Sequence, residues 1–255
     1  MMLENENVAR QVIEYVNKNV AFLQPKVGIF LTEGESKNQD AIGCGSGFLI
    51  ESETSLYLVT AYHVVEMSQG KQCCLQIHND VIVLDKLRLI GLKQYDVAVA
   101  RVDELRQKLK SSSYFSTSEI AISTEEVNFM VGYPITKNKL NSYWGRVDRH
   151  MLGVTLGVEI TENKPVSDVL TPYCFDMPSR SVFDSHLNVN GKAPKLQGMS
   201  GGPVLTIDYM DICLNNPPRL LGVIVEKEHK HDVVFVTSMA PVLSLIERWE
   251  SYSTI

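Results

Sequence analysis

Two hydrophobic periodicities divide this chain. Over residues 6–23, Val8, Val12, Val16 and Val20 recur every fourth position with Tyr15 beside them. That stripe predicts an amphipathic helix whose apolar face packs on the body of the protein. From about residue 25 the pattern changes to short runs of β-branched and aromatic residues bounded by Gly, Ser or charged turns, which predict strands. The runs are KVGIFLTEG, GCGSGFLIES, LYLVTAYHVV, CCLQIHND, VIVLDKLRLIG and YDVAVARV.

The span DELRQKLKSSSYFSTSE interrupts them, charged first and then Ser-rich, and reads as a short helix or linker. A second set follows: EIAIS, EVNFMVGYP, WGRVDRHMLGVTLGVEI, SDVLTPYCF, GGPVLTI, RLLGVIVEK and DVVFVTSM. The chain closes with APVLSLIERWESY, where Pro241 suits a first helical turn and Val242, Leu245, Ile246 and Trp249 share one helical face. About six strands, a linker, about six more strands and a terminal helix fit barrels or sandwiches equally well.

Composition narrows the function classes. A chain of 255 residues with 44% hydrophobic and 21% charged residues is globular and can bury a large core. The net charge of −6 gives no global attraction for phosphate backbones, so no nucleic-acid partner is expected. Lys192, Lys195, Lys227, Lys230 and Arg219 would be the material for a local basic patch, and read more simply as solvated surface.

No run approaches the length of a transmembrane helix, and the acidic N-terminus lacks the basic and apolar regions of a signal peptide, so no membrane association is expected. Cys44, Cys73, Cys74, Cys174 and Cys213 make an odd count without metal-ligand spacing. They read as free thiols in a reducing, cytoplasmic setting. His229-Lys230-His231 is a weak metal signal and reads as a turn between two strands, so no metal is expected.

Three local patterns carry chemistry. Gly45-Ser46-Gly47-Phe48-Leu49-Ile50 precedes an apolar strand that runs into His63 through Thr60, Ala61 and Tyr62. Asp96 opens the apolar strand Val97–Val102. Ser200 sits in Gly198-Met199-Ser200-Gly201-Gly202-Pro203. Each residue alone has a plainer reading: a satisfied structural His, a strand-start Asp, a turn Ser. Asp85 and Asp103 are the nearest substitutes for Asp96, and neither opens a comparable strand.

Together these segments resemble the chymotrypsin-like serine peptidases, especially the bacterial trypsin-like and HtrA-type branch. The motifs G-S-G-F-x-I, T-x-x-H-V-V, D-x-A-x-x-x-V and G-x-S-G-G-P occur here in that family's order, His before Asp before Ser. Gly132-Tyr133-Pro134 and Gly145-Arg146-Val147 are similar to its G-[YF]-P and G-x-V patterns. The resemblance implies an all-β fold of two packed six-stranded antiparallel barrels. The first would span 25–105 and the second 117–240, joined by a linker at 106–116, with helical segments at 1–24 and 241–255.

It also implies a serine endopeptidase with His63 as general base, Asp96 orienting it and Ser200 as nucleophile. Backbone N–H groups of Gly198 and Ser200 would hold the oxyanion. Val225, Glu226 and Lys227 would pair with substrate backbone, and Pro194 and Gln197 would border the specificity pocket. No Asp stands at Pro194, so a neutral or apolar preference is expected rather than cleavage after Arg or Lys. No cofactor is implied, and the partners expected are a protein or peptide substrate and an activator.

Met199 departs from the Asp of trypsin-type zymogens. It points instead to switching by order in the loop 188–197, through a partner. The residues after the last strand read as one helix, so no PDZ module is expected. Peptidases of this sort occur in prokaryotic defence and stress systems, which suggests an effector that cuts a specific protein. Two other readings share the motifs: a latent or inactive peptidase fold that grips peptides, and an esterase.

Overall fold

A computed structural model describes residues 2–32, 42–69, 72–77, 80–83, 88–135, 138, 140–141, 146–147, 150–170, 172–177, 182–184, 189–191, 196–228 and 230–252. Helix α1 (Met2–Leu23) precedes strands β1 (Val27–Thr32), β2 (Ile42–Glu51) and β3 (Leu56–Ala61), and helix α2 (Tyr62–Ser68) follows directly. Strands β4 (Cys73–Ile77), β5 (Asp80–Val83), β6 (Leu89–Leu92), β7 (Val97–Arg101) and β8 (Phe115–Ser116) complete the first half.

The second half contains β9 (Val127–Gly132), β10 (Leu140–Asn141), β11 (Arg146–Val147), β12 (Leu152–Thr155), β13 (Tyr173–Asp176), β14 (Val182–Asp184), β15 (Val189–Gly191) and β16 (Pro203–Ile207). After these come α3 (Tyr209–Leu214), β17 (Arg219–Glu228), β18 (Val233–Ser238) and α4 (Met239–Tyr252).

Sixteen of the strands form two curled sheets, and β10 and β11 pair with each other apart from both. In the first, the order is β5-β4-β1-β2-β3-β7-β6, with β8 alongside β2. Its two ends, β5 and β6, are consecutive in the chain, so the sheet comes round on itself. The second runs β13-β18-β17-β16-β9-β12-β14-β15. It curls until the chain beyond β12 meets β13, where Gly157 N–H donates to Asp176 C=O and Ile160 N–H to Cys174 C=O. Each sheet therefore has a barrel of six strands at its heart, as the double-barrel expectation requires. Counting the two ends β5 and β6 as one position, the extra strands are the parallel β8 and the antiparallel pair β14–β15.

Each barrel has its own apolar interior. Phe30, Leu49, Leu58, Leu75 and Ala100 fill the first. Met130, Val154, Phe175, Val204 and Val234 fill the second. A third cluster lies between the barrels and under α1 and α4, where Ile29, Phe48, Val59 and Val99 meet Val131, Tyr133, Leu205 and Val223. This double-sided burial explains why VGIFLT and LYLVTA are continuously apolar rather than alternating: every residue of β1 and β3 is buried.

Several elements differ from the sequence expectation. The run through Tyr62-His63-Val64 leaves the strand at Ala61 and becomes helical, because the barrel edge ends there and Val64 turns into the interior. The 103–119 span forms three single 3-10 turns rather than one helix. EIAIS supplies only a bridge at Ile120 to Leu220, and WGRVDRHMLGVTLGVEI only β11 and β12. Helix α4 begins at Met239, so Pro241 is its third residue, still within the first turn where a missing N–H costs nothing.

Candidate active site

Asp96 is the hinge of the site. It ends a 3-10 turn over Lys93–Tyr95 in the left-handed region, φ 50° and ψ 43°, a conformation that Asp tolerates better than most residues. Its C=O accepts from Tyr62 N–H at 3.0 Å. Its Oδ1 accepts from His63 N–H at 2.8 Å. Two donors at the start of α2 are thus satisfied by a residue from β7's approach, where the helix's own preceding residue, Ala61, offers no side-chain cap. The second oxygen, Oδ2, lies 2.6 Å from His63 Nδ1.

The second barrel holds this turn from the other side. Thr237 Oγ1 donates to Tyr95 C=O at 2.6 Å, and Leu170 N–H donates to Gln94 C=O at 2.8 Å.

Ser200 lies in the tight turn before β16. Gly198 and Gly201 have φ of +95° and +86°, positions that a side chain would strain. Two neighbouring carbonyls are tied outward: Gln197 C=O accepts from Ile135 N–H at 2.8 Å, and Met199 C=O from Gly202 N–H at 2.9 Å. The peptides are trans, so the N–H groups of Gly198 and Ser200 point the opposite way from those carbonyls. Among the described residues neither N–H has a hydrogen-bond acceptor. Met199, by contrast, is fully buried in the second barrel's core, an apolar setting that suits no ion pair.

His63, Asp96 and Ser200 line one cleft of about 450 Å³ between the barrels, with Tyr62, Glu66, Lys93, Asp168, Val169, Val225, Glu226 and Lys227. No hydrogen bond joins Ser200 Oγ to His63 among the described residues. The sequence pattern brings together all three chemical residues and the three residues of β17. Val225 is buried, Glu226 is exposed and accepts from Ser167 Oγ at 3.3 Å, and Lys227 lies 3.6 Å from Asp232. β16 pairs with β17 only up to Val223, and among the described residues no strand pairs with Val225–Glu228 on that side.

Gln197 is exposed on its turn; within the segment expected to be a loop over 188–197, Val189–Gly191 form β15, and Pro194 lies with 188, 192–193 and 195 outside the described residues. Asp103 is elsewhere, accepting from Leu56 N–H at 2.7 Å and pairing with Arg101. Asp85 lies outside the described residues. His231 sits in the β17–β18 turn, 2.6 Å from Glu228 Oε2. Arg219 pairs with Glu125, so it adds no open charge to a basic patch. Among the described residues no three His, Cys, Asp or Glu side chains converge to hold a metal ion, and no helix is long and apolar enough to cross a membrane.

The sequence carries no sign of Ile135, which orients the Gln197–Gly198 peptide, or of the Gln94–Leu170 bridge. Both are backbone contacts that leave no side-chain signature.

Residues 45–209 match the family described as Trypsin-like peptidase domain. No relative among curated proteins matches. Among solved structures, the chain is similar to the active form of the Rv3671c protease from M. tuberculosis at 18% identity, covering 89% of this chain and 82% of that one, with a TM-score of 0.48. It is also similar to the MamO protease domain from Magnetospirillum magneticum at 13% identity, covering 87% and 96%, with a TM-score of 0.48. For the tobacco vein mottling virus protease, identity is 9%, coverage 86% and 79%, and the TM-score 0.47.

Proposed function

We propose, on the premise that the chain belongs to the trypsin-like peptidase domain family, that it is a serine endopeptidase acting through an acyl-enzyme. The observation that carries the proposal is the bond of His63 Nδ1 to Asp96 at 2.6 Å, in the cleft that also exposes Ser200.

His63 takes the Ser200 proton through Nε2 as Oγ attacks the scissile carbonyl, and returns it to the leaving amine. Asp96 keeps the Nδ1 proton in place and stabilises the imidazolium. The unpartnered N–H groups of Gly198 and Ser200 receive the oxyanion. That side of β17 at Val225–Glu228 receives substrate backbone as an added strand, and Gln197 and Pro194 border the pocket for the residue before the scissile bond. The contact between Ser200 and His63 tightens when substrate enters, as catalytic hydrogen bonds do.

Regulation by a partner that orders the 188–197 loop belongs to the same proposal, motivated by Met199, which leaves no acid to pair with a new N-terminus. Full turnover by the isolated, uncut protein would refute that part. The five free thiols support a reducing, cytoplasmic setting, and the cellular role proposed is cleavage of a specific protein in a defence or stress response.

Labelling with a fluorophosphonate, mapped by mass spectrometry in wild type, Ser200→Ala and His63→Ala, tests the chemistry. Modification at Ser200 that both variants lose supports it. Folded wild type that stays unlabelled, alone and with candidate activators, favours the alternative of a peptide-binding module.

A further inference from the structure

Ser46 is fully buried in β2, far in sequence from the loop it touches. Its Oγ donates to Gly198 C=O at 2.8 Å and accepts from Tyr133 N–H at 2.9 Å. Its own N–H donates to Ser200 C=O at 2.8 Å. Its C=O accepts from Thr60 Oγ1 at 2.8 Å, which ties the arrangement into β3. One residue of the first barrel thus holds the carbonyls of both residues whose N–H groups face the oxyanion.

The peptides around Gly198 then have three holds. Ile135 N–H fixes the carbonyl of the peptide before it, Ser46 Oγ fixes the carbonyl of the peptide after it, and the N–H of that second peptide, on Met199, donates to Leu196 C=O at 2.9 Å. The first two holds are linked, because the Ser46 hydroxyl also carries Tyr133 N–H, two residues before Ile135. Gly198 at φ +95° is free to rotate on its own account, having no side chain to restrict it. Without the Ser46 hydroxyl the Gly198 carbonyl and the Tyr133 amide lose their shared partner, and rotation at Gly198 turns an oxyanion donor away.

We propose that Ser46 is a positioning residue for the oxyanion hole: its hydroxyl, reaching from the first barrel, sets the orientation of the Gly198 N–H and so acts on the transition state rather than on substrate binding. The inference rests on the serine endopeptidase reading above.

The test compares wild type, Ser46→Ala, Ser46→Thr and Ser46→Cys, using a fluorogenic peptide substrate, a peptide boronate as transition-state analogue, and fluorophosphonate labelling of Ser200. Loss of one oxyanion donor typically costs about 10²–10³ in rate. Ser46→Ala is therefore expected to lose kcat by about 10- to 10³-fold with KM nearly unchanged, and to lose boronate affinity in parallel. Thr, which keeps the hydroxyl, is expected to restore most of both. Cys, a longer and weaker hydrogen-bonding group, is expected to fall between, and gives the comparison should Ala fail to fold.

Unchanged kcat in Ser46→Ala or Ser46→Cys would overturn the inference while a labelled wild type left the peptidase reading standing. A change confined to KM would do the same. Wild type unreactive toward the phosphonate under all conditions would overturn the peptidase reading and this inference with it.

Discussion

Asp96 holds His63 twice, through Oδ2 on the ring at 2.6 Å and through Oδ1 on the backbone N–H at 2.8 Å. The carboxylate that orients the imidazole also closes the start of the helix that presents it. Orientation and local fold are therefore coupled, and substitutions can separate them. Asp96→Asn keeps an oxygen for the backbone N–H but presents an amide to Nδ1, favouring the wrong tautomer. It is expected to reduce kcat by about 10⁴ with stability little changed. Asp96→Ala removes both bonds, and is expected to lose a further ~1 kcal/mol of stability, the usual cost of a lost cap. Steady-state kinetics beside urea unfolding distinguishes the two.

Gly198 and Gly201 are expected to fail differently. A Cβ on Gly198 would come within 2.6 Å of Ile135 Cγ1 and 2.9 Å of Ile135 N. Gly198→Ala therefore disturbs the bond that aims the Gly198 N–H, the proposed oxyanion donor, and is expected to fold while losing kcat by about 10²-fold or more. A Cβ on Gly201 would lie 2.1 Å from Ser46 O and 2.3 Å from Thr60 Oγ1, inside the contact between barrels. Gly201→Ala is expected to destabilise by about 3 kcal/mol or more, read as a lowered urea midpoint.

Helix α1 is part of the folded unit. Val16, Val20 and Leu23 are buried with the layer between the barrels. Tyr15 Oη donates to Asn216 C=O at 2.6 Å, which fastens the helix beside α3. Leu23→Ala is expected to cost about 2–5 kcal/mol, the range for a buried Leu. A single cooperative transition at lower denaturant would show that α1 unfolds with the barrels; an unchanged midpoint would show that it does not.

A contributor to the acid limb of stability lies at the far end of β3. Burial works against the Asp103 carboxylate, but the Leu56 N–H and the Arg101 and Arg106 guanidiniums outweigh it and hold its pKa below the ordinary value. A depressed carboxylate stabilises the fold above its unfolded pKa of about 3.9, and that contribution disappears as pH falls through the lower folded value. Asp103→Asn is thus expected to lower Tm at pH 7 by a few degrees, about 1 kcal/mol once partial exposure is allowed for. The gap from wild type should close below pH of about 4. A gap independent of pH in melting curves would contradict this account.

The residues that meet in the candidate site, and their order, were legible in the chain: Gly-x-Ser-Gly-Gly around Ser200, an apolar strand before His63, an Asp opening another. The strands were also legible, since short apolar runs between turns report them directly, but those runs fit sandwiches as well as barrels, and only the family resemblance pointed to two barrels. The helical turn that carries His63 was not legible. Tyr62-His63-Val64-Val65 has strand-like composition, and only the end of the barrel edge at Ala61 and the cap supplied by Asp96, thirty-three residues on, make it helical.

Pairings between distant backbone groups belong to the tertiary structure alone. Thr237 reaches Tyr95, Leu170 reaches Gln94 and Ile135 reaches Gln197, and backbone N–H and C=O groups are the same in every sequence. Ser46 stands between the two cases. The chain shows a small polar residue inside a glycine-rich motif, but its burial against Gly198 and Tyr133 exists only when the barrels close on each other. The sequence by itself determined which groups can do chemistry; packing of one barrel against the other decided where their protons and carbonyls point.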